Sequence, residues 1–148
     1  MPMRIVVRTR LAADAGTAWD LVTRTATLRH VARGILGFRG DLPARWEAGQ
    51  QITVHLLAFG LVPMNAHALT LRRVDGEAHV LVTEEHGGIL RAWNHRISIT
   101  PDPPAGCRYT DEVDVDAGLL TPVAWALGHA FFRYRQARLR GLARVLAA

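Results

Sequence analysis

Five segments in the middle of the chain have the hydrophobic pattern of β-strands. They span residues 51–59, 65–74, 78–85, 90–100 and 108–117. The connections between them are short and contain Gly, Pro and Asp, which favours antiparallel pairing of consecutive strands. The pattern therefore predicts an antiparallel meander.

The two ends of the chain predict a strand and helices. Residues 3–11 read as a strand, and residues 13–34 read as helical, with Asp14 as N-cap and Gly34 at the end. Residues 36–49 are rich in turn formers and hold one short strand. Thr121 as N-cap and Pro122 at the first helical position predict a long helix that runs to about Leu146. Its apolar stripe is predicted to comprise Leu127, Phe131, Tyr134, Leu142 and Val145.

The strand over residues 90–100 carries polar groups on its apolar face. Trp93 and Ile97 share one parity with Arg91 and His95, and this more apolar parity should face the core. Glu84 lies on the preceding predicted strand, residues 78–85. Charged groups on such a face indicate either a closed end of the core or a hollow core in which they meet a ligand.

Composition narrows the class of protein. A chain of 148 residues predicts one domain over residues 1–148. All 18 basic residues are arginines, and the net charge is +5, but they are scattered and residues 110–116 are acidic, so we expect no nucleic-acid partner. No apolar run approaches the ~20 residues of a membrane span, so we expect no integral membrane segment.

Cysteine content and motifs bear on chemistry. The only cysteine is Cys107, and the sequence has neither CxxC nor HExxH. We therefore expect no metal, no cofactor and a reducing, cytoplasmic setting. Any catalysis would have to rest on acid–base groups and positioning.

Several stretches together resemble a known superfamily. They are "AWDLVT", "WEAGQQITV", "EEHGGILRAWNHRISI", "YTDEVDVDAGLL" and "FFRYRQARLRGLA". With the order of elements, they resemble the START/Bet v 1-like superfamily, which includes polyketide cyclases and lipid-transport domains. The resemblance implies an α+β helix-grip fold: a curved antiparallel β-sheet wrapped around a long C-terminal helix, with two short helices after the first strand. The superfamily contains carriers, sensors and enzymes, so function must be argued from the cavity.

Turn chemistry predicts which residues face that cavity. A two-residue turn at Asp75 and Gly76 would pair Val74 with Glu77 and place His67 opposite Glu84. Continued across the next turn, Glu84 would face Arg91. The predicted ligand-binding residues are His67, Leu69, Leu71, Val80, Val82, Glu84, Arg91, Trp93, Ile97, Tyr109, Val113, Phe131 and Tyr134.

The candidate catalytic residues are His95 and Asp111. A carboxylate beside an imidazole orients a general base, but it is also a common buried hydrogen bond. In the same way, Glu84 and Arg91 could form a structural ion pair, and His67 could be a satisfied core histidine. Arg135 and Arg138 are expected to extend along the sheet rim; alternatively, one of them reaches the cavity mouth and holds an anionic headgroup.

Three functions follow from these observations. The preferred one is binding of a hydrophobic or amphipathic small molecule (lipid, polyketide or aromatic) between the sheet and the C-terminal helix of a monomer or homodimer. The second is a polyketide cyclase/dehydratase-type enzyme in which His95 and Asp111 move protons. The third is a protein-interaction or chaperone-like module.

Overall fold

The computed structural model describes residues 2–147, with the backbone alone at Ala147. The strands are β1 (Met3–Leu11), β2 (Leu36–Arg39), β3 (Gln51–Ala58), β4 (Val62–Asp75), β5 (Val80–Gly87), β6 (Leu90–Asp102) and β7 (Gly106–Asp116). The helices are α1 (Ala15–Val22), α2 (Thr25–Ala32) and α3 (Thr121–Ala147), and a 3-10 turn at Gly118–Leu120 precedes α3.

The strands form one curved antiparallel sheet in the order β1-β7-β6-β5-β4-β3-β2. The meander from β3 to β7 pairs neighbours in sequence, and β1 adds to its end beside β7. α1 and α2 follow β1, and α3 packs against β1 and β7. The predicted α+β helix-grip fold is confirmed.

Local hydrogen bonds mark where α1 and α3 begin. The Asp14 carboxylate accepts a hydrogen bond from the Thr17 backbone N–H at 2.8 Å, as expected for an N-cap. At the start of α3 the buried Thr121 hydroxyl accepts from the Ala117 N–H at 2.9 Å and donates to the Gly118 carbonyl at 2.7 Å. These bonds fix the beginning of α3 to the end of β7. The predicted start of the long helix near Thr121 is confirmed, but Thr121 is its first residue rather than its N-cap.

The buried stripe of α3 differs from the predicted one. Phe132 and Leu139 are buried on the sheet, whereas Leu127 and Val145 are 66% and 72% exposed. The Tyr134 hydroxyl donates to the Arg33 carbonyl of the α2–β2 connection rather than packing on the sheet. The true stripe escapes a hydrophobicity pattern because much of it is small or polar: Ala124, Gly128, Phe132, Gln136, Leu139 and Ala143.

The predicted register between β4 and β5 is wrong. Asp75 pairs with Val80, so the turn contains four residues rather than two. A bulge at Arg72 then adds one residue to β4, and Leu71 lies opposite Thr83 instead of Val80. Because side chains alternate between faces, this odd shift inverts β5: Leu81, Thr83 and Glu85 face the concave side.

The register between β6 and β7 differs from the prediction by two residues. His95 pairs with Val113 rather than Asp111, and Ile97 pairs with Asp111 rather than Tyr109. An even shift preserves the faces. The predicted concave residues of both strands therefore keep their orientation, and His95 and Asp111 become diagonal neighbours.

Candidate functional site

A cavity of about 670 Å³ lies between the concave face of the sheet, α2 and α3. Most of its wall is apolar. Of the residues predicted from the sequence, the wall includes His67, Leu69, Leu71, Trp93, His95, Ile97, Tyr109 and Phe131.

A second part of the wall was not predicted. It comes from α2 and the β2–β3 side of the sheet and includes Val31, Leu36, Phe38, Val54 and Leu56. The alternation of Leu36 with Phe38, and of Val54 with Leu56, is a signal that could have found them. The turn formers in residues 36–49 obscure this alternation, because they predict only one short strand there.

Three predicted residues of β5 do not line the cavity. Val80, Val82 and Glu84 have the parity opposite to the cavity-lining residues of this strand. Glu84 is exposed, and its carboxylate accepts a hydrogen bond from Arg72 Nε at 2.9 Å. The predicted row His67–Glu84–Arg91 is therefore wrong, because the bulge in β4 reverses which residues of β5 face the cavity.

The remaining predicted residues outside the wall have other surroundings. Arg91 is exposed, and its guanidinium lies beside Gly118. It follows Leu90 near the β5–β6 turn, where the register of the two strands shifts. Val113 is buried with Phe132 beneath α3. Tyr134 bonds to the Arg33 carbonyl. Asp111 lies behind the wall, in contact with groups that line it.

His95 and Asp111 form the predicted hydrogen bond. The distance from His95 Nε2 to Asp111 Oδ1 is 2.7 Å. The Tyr109 hydroxyl donates to the same oxygen at 3.1 Å, and Gln136 Nε2 donates to Asp111 Oδ2 at 2.9 Å. Gln136 Nε2 also donates to the Val7 carbonyl at 2.7 Å. A fully buried carboxylate thus joins β6, β7, β1 and α3.

The surroundings of Asp111 favour its charged form. Burial by itself raises the pKa of this carboxyl, but the hydrogen bond and charge of His95, the Arg135 charge and the Gln136 amide outweigh burial and hold the pKa below its ordinary value. Burial, with the Asp111 charge, raises the pKa of Tyr109 well above its ordinary value. Tyr109 is therefore a neutral donor at physiological pH. The ionised carboxylate accepts the hydrogen on His95 Nε2, and in the neutral form of the ring Nδ1 is then an acceptor.

A second polar group crosses β4 and β5. His67 Nε2 lies 2.8 Å from Glu85 Oε1, and the Thr83 hydroxyl donates to Glu85 Oε2 at 2.5 Å. All three side chains line the cavity. His67 is buried, and its Nδ1 has no hydrogen-bond partner among the described residues. Glu85 is not among the predicted residues, because an unbroken register from Asp75 places its neighbour Glu84 on the concave face.

Arg135 of α3 points into the cavity. Its guanidinium carbon lies 5.4 Å from the centroid of the Phe131 ring and 5.1 Å from that of Phe132. The expected position along the sheet rim is wrong for Arg135. Arg138 instead donates from Nε to the carbonyl of His30 at 3.0 Å.

Exposed apolar side chains stand at the mouth of the cavity. Phe59, Met64, Ile89 and Leu127 belong to the wall yet are each more than half exposed. They come from the β3–β4 connection, β4, the β5–β6 turn and α3. The entrance is therefore apolar on several sides.

Comparisons with known proteins bear on this fold and cavity. A family model described as "Domain of unknown function (DUF8410)" matches residues 9–142. The chain belongs to this family. No curated protein matches the DUF8410 chain. Among the described residues, no helix has the length and apolar character needed to cross a membrane.

Solved structures resemble this DUF8410 protein over almost its whole length. A START superfamily protein from Mycobacterium smegmatis has 15% identity and a TM-score of 0.72, covering 97% of this chain and 98% of that one. The Zhui aromatase/cyclase from a Streptomyces species has 10% identity and a TM-score of 0.68, covering 99% and 94%. Norcoclaurine synthase from Thalictrum flavum has 15% identity and a TM-score of 0.67, covering 96% and 93%. The predicted START/Bet v 1-like fold is confirmed.

Proposed function

We propose that this protein binds a hydrophobic or amphipathic small molecule in the cavity between the sheet and α3. The observation that carries the proposal is the cavity itself. Its volume of about 670 Å³ falls within the ~300–1,000 Å³ typical of small-molecule sites, and a few polar groups converge on a mostly apolar wall. Proteins named as a START superfamily member and an aromatase/cyclase share the fold, which supports the proposal.

A neutral fluorescent probe tests the proposal. N-phenyl-1-naphthylamine should bind with enhanced fluorescence and should be displaced by apolar molecules. Leu69→Trp, which adds volume on the cavity wall, should weaken probe binding by at least about tenfold, because overfilling removes the space the probe occupies. Thr70→Trp is the matched control, because Thr70 follows Leu69 on β4 and is not part of the wall. Absence of probe binding, or equal effects of both substitutions, would refute the proposal.

A second function is favoured by one observation: His95 lines the cavity with Nε2 held 2.7 Å from a buried carboxylate oxygen. Asp111 would keep the proton on Nε2, so that Nδ1 could accept a proton from an acidic carbon of the ligand. This is the acid–base step of a cyclase or dehydratase. Asp111 would act by positioning the imidazole, since it has no place on the cavity wall itself.

Hydrogen exchange at an activated carbon tests this second function without knowledge of the substrate. Benzoylacetone has an acidic methylene between two carbonyls, and its exchange in D2O can be followed by NMR. The protein should accelerate exchange, and His95→Gln should remove about 10²-fold or more of that acceleration. Arg133→Gln, on the exposed side of α3, should leave it unchanged. Equal rates in the presence and absence of protein would exclude the base and leave the binding function standing.

A further inference from the structure

Two side chains of the cavity wall each contain a buried nitrogen that has no hydrogen-bond partner among residues 2–147. These nitrogens are Nε of Arg135 and Nδ1 of His67. Buried polar atoms in native proteins are almost always satisfied by protein, water or ligand. Both side chains line the same cavity. Each therefore indicates which complementary group a ligand would bring.

Arg135 offers a charge without an ion-pair partner in the described part of the chain. The other inward-facing cluster, at His67 and Glu85, is paired internally. The Arg135 charge helps to lower the pKa of Asp111, but the two side chains form no ion pair. The guanidinium instead lies against two phenyl rings. A cation held beside aromatic rings at an apolar cavity favours an anionic oxygen, because the charge has lost part of its hydration.

His67 offers an acceptor. The Glu85 carboxylate already accepts the Thr83 hydroxyl at one oxygen and faces His67 Nε2 with the other, so Nε2 carries the hydrogen. In the neutral form of the ring Nδ1 then has a lone pair, and no donor reaches it among residues 2–147. An apolar molecule would leave this lone pair unpaired, whereas a hydroxyl group would satisfy it.

We propose that the ligand of this cavity is an apolar hydroxy acid: an aromatic or acyl body with an anionic oxygen bound by Arg135 and a hydroxyl group that donates to His67 Nδ1. The proposal rests on the binding function above and names the chemical class of the ligand. It also explains why an apolar cavity is lined on α3 by the charged Arg135 and on β4 by His67, whose ring is oriented by the Glu85 carboxylate. Arg135 binds the acid by charge and by its N–H donors, and His67 selects for a donating hydroxyl.

Matched naphthalenes test both contacts by displacement of N-phenyl-1-naphthylamine. The series is 2-naphthol, 2-naphthoate, 6-hydroxy-2-naphthoate and 6-methoxy-2-naphthoate. We expect 6-hydroxy-2-naphthoate to bind best, and about tenfold more tightly than its methoxy analogue, which keeps the size but lacks the donor. The ligand comparison tests His67 without a substitution, which matters because removal of His67 would leave Glu85 buried without its partner.

Arg135→Gln tests the charge, with Arg133→Gln as the control on the exposed side of the same helix. Arg135→Gln should weaken the two naphthoates by about tenfold or more relative to 2-naphthol, whereas Arg133→Gln should not change this ratio. If the neutral probe binds but the acids bind no better than 2-naphthol, or if both variants behave alike, the ligand class is wrong and the binding function survives. If the probe itself does not bind, both proposals fail.

Discussion

Replacing Asp111 by asparagine preserves the shape of a buried side chain and changes only what its two terminal atoms can do. In the native protein both oxygens accept: Oδ1 from His95 and Tyr109, and Oδ2 from Gln136. Asparagine has one acceptor and one donor. If its oxygen takes the place of Oδ1, its NH2 group faces the NH2 group of Gln136.

The Gln136 amide cannot relieve this conflict by turning over. Its nitrogen donates to the Val7 carbonyl at 2.7 Å, so a flipped amide would set its oxygen against that carbonyl. As long as His95 keeps its hydrogen on Nε2, either orientation of Gln136 leaves one buried group without a partner, which costs about 1–3 kcal/mol. We therefore expect Asp111→Asn to destabilise the protein by at least this amount, even though no atom is lost.

A double-mutant cycle with Gln136→Leu isolates the conflict. In the native background this substitution removes the bonds to Val7 and Asp111 and should also cost about 1–3 kcal/mol. In the Asp111→Asn background it also removes the opposed NH2 group. The double variant should therefore be more stable than the sum of the single effects predicts, by about 1 kcal/mol or more.

Urea unfolding followed by tryptophan fluorescence measures all four proteins. The slope of the free energy of unfolding against urea should stay constant, so that midpoints report stability alone. Additivity within about 0.5 kcal/mol would refute the reasoning, since it would mean that Asp111 and Gln136 do not share a network. So would an Asp111→Asn variant as stable as the native protein.

Three further outcomes are expected from the same unfolding assay. Folding lowers the pKa of Asp111, so the ionised carboxylate stabilises the protein fully above its unfolded pKa of about 3.9 and loses this effect as pH falls through its folded pKa. The difference in free energy of unfolding between the native protein and Asp111→Asn should therefore narrow only below about pH 4. Phe132→Ala removes a fully buried ring and should lower the free energy of unfolding by about 3–5 kcal/mol. A loss below about 1 kcal/mol would contradict the packing of α3 on the sheet. Gly128→Ala would place Cβ 2.4 Å from Ile5 Cδ1 and should destabilise, whereas Gly141→Ala in the same helix meets nothing within 4 Å and should stabilise by up to about 1 kcal/mol.

The fold was predictable because its determinants are local. Asp14 caps α1 with its own side chain, Thr121 and Pro122 mark the start of α3, and the alternation within each strand is visible without knowledge of its neighbours. These signals fix the type and order of the elements. They also correctly predict the inward parity of β6, because Trp93, His95 and Ile97 form a pattern within one strand.

The face of β5 was not predictable from the same signals. Its residues alternate too weakly to choose a face, so the prediction depended on the turn at Asp75 and on an unbroken β4. The turn has four residues, in which the Asp75 carboxylate accepts the N–H groups of Glu77 and Ala78. The bulge at Arg72 is a property of the paired strands and leaves no clear mark in the sequence. Glu84 was therefore predicted in place of Glu85.

The orientation of α3 was missed for a different reason. Gly128 comes so close to β1 that an added Cβ would overlap Ile5, and Gln136 reaches through the core to a β1 carbonyl. Close approach requires small residues, and a buried network requires polar ones, so the contact stripe is not the most hydrophobic one. The same rotation brings Arg135 to the cavity instead of the sheet rim.

Differences in hydrogen-bond saturation separate the structural from the ligand-facing polar groups. Asp111 accepts three hydrogen bonds and lies behind the wall, so its carboxylate has little capacity left for a ligand. Its substitution should act first on stability and on the orientation of His95. Arg135 and His67 line the cavity, in contrast, and each keeps a buried nitrogen without a hydrogen-bond partner among residues 2–147. A ligand would therefore gain hydrogen bonds from α3 and β4 at no cost to the network that joins β1, β6 and β7, and binding and folding can be tested by separate substitutions.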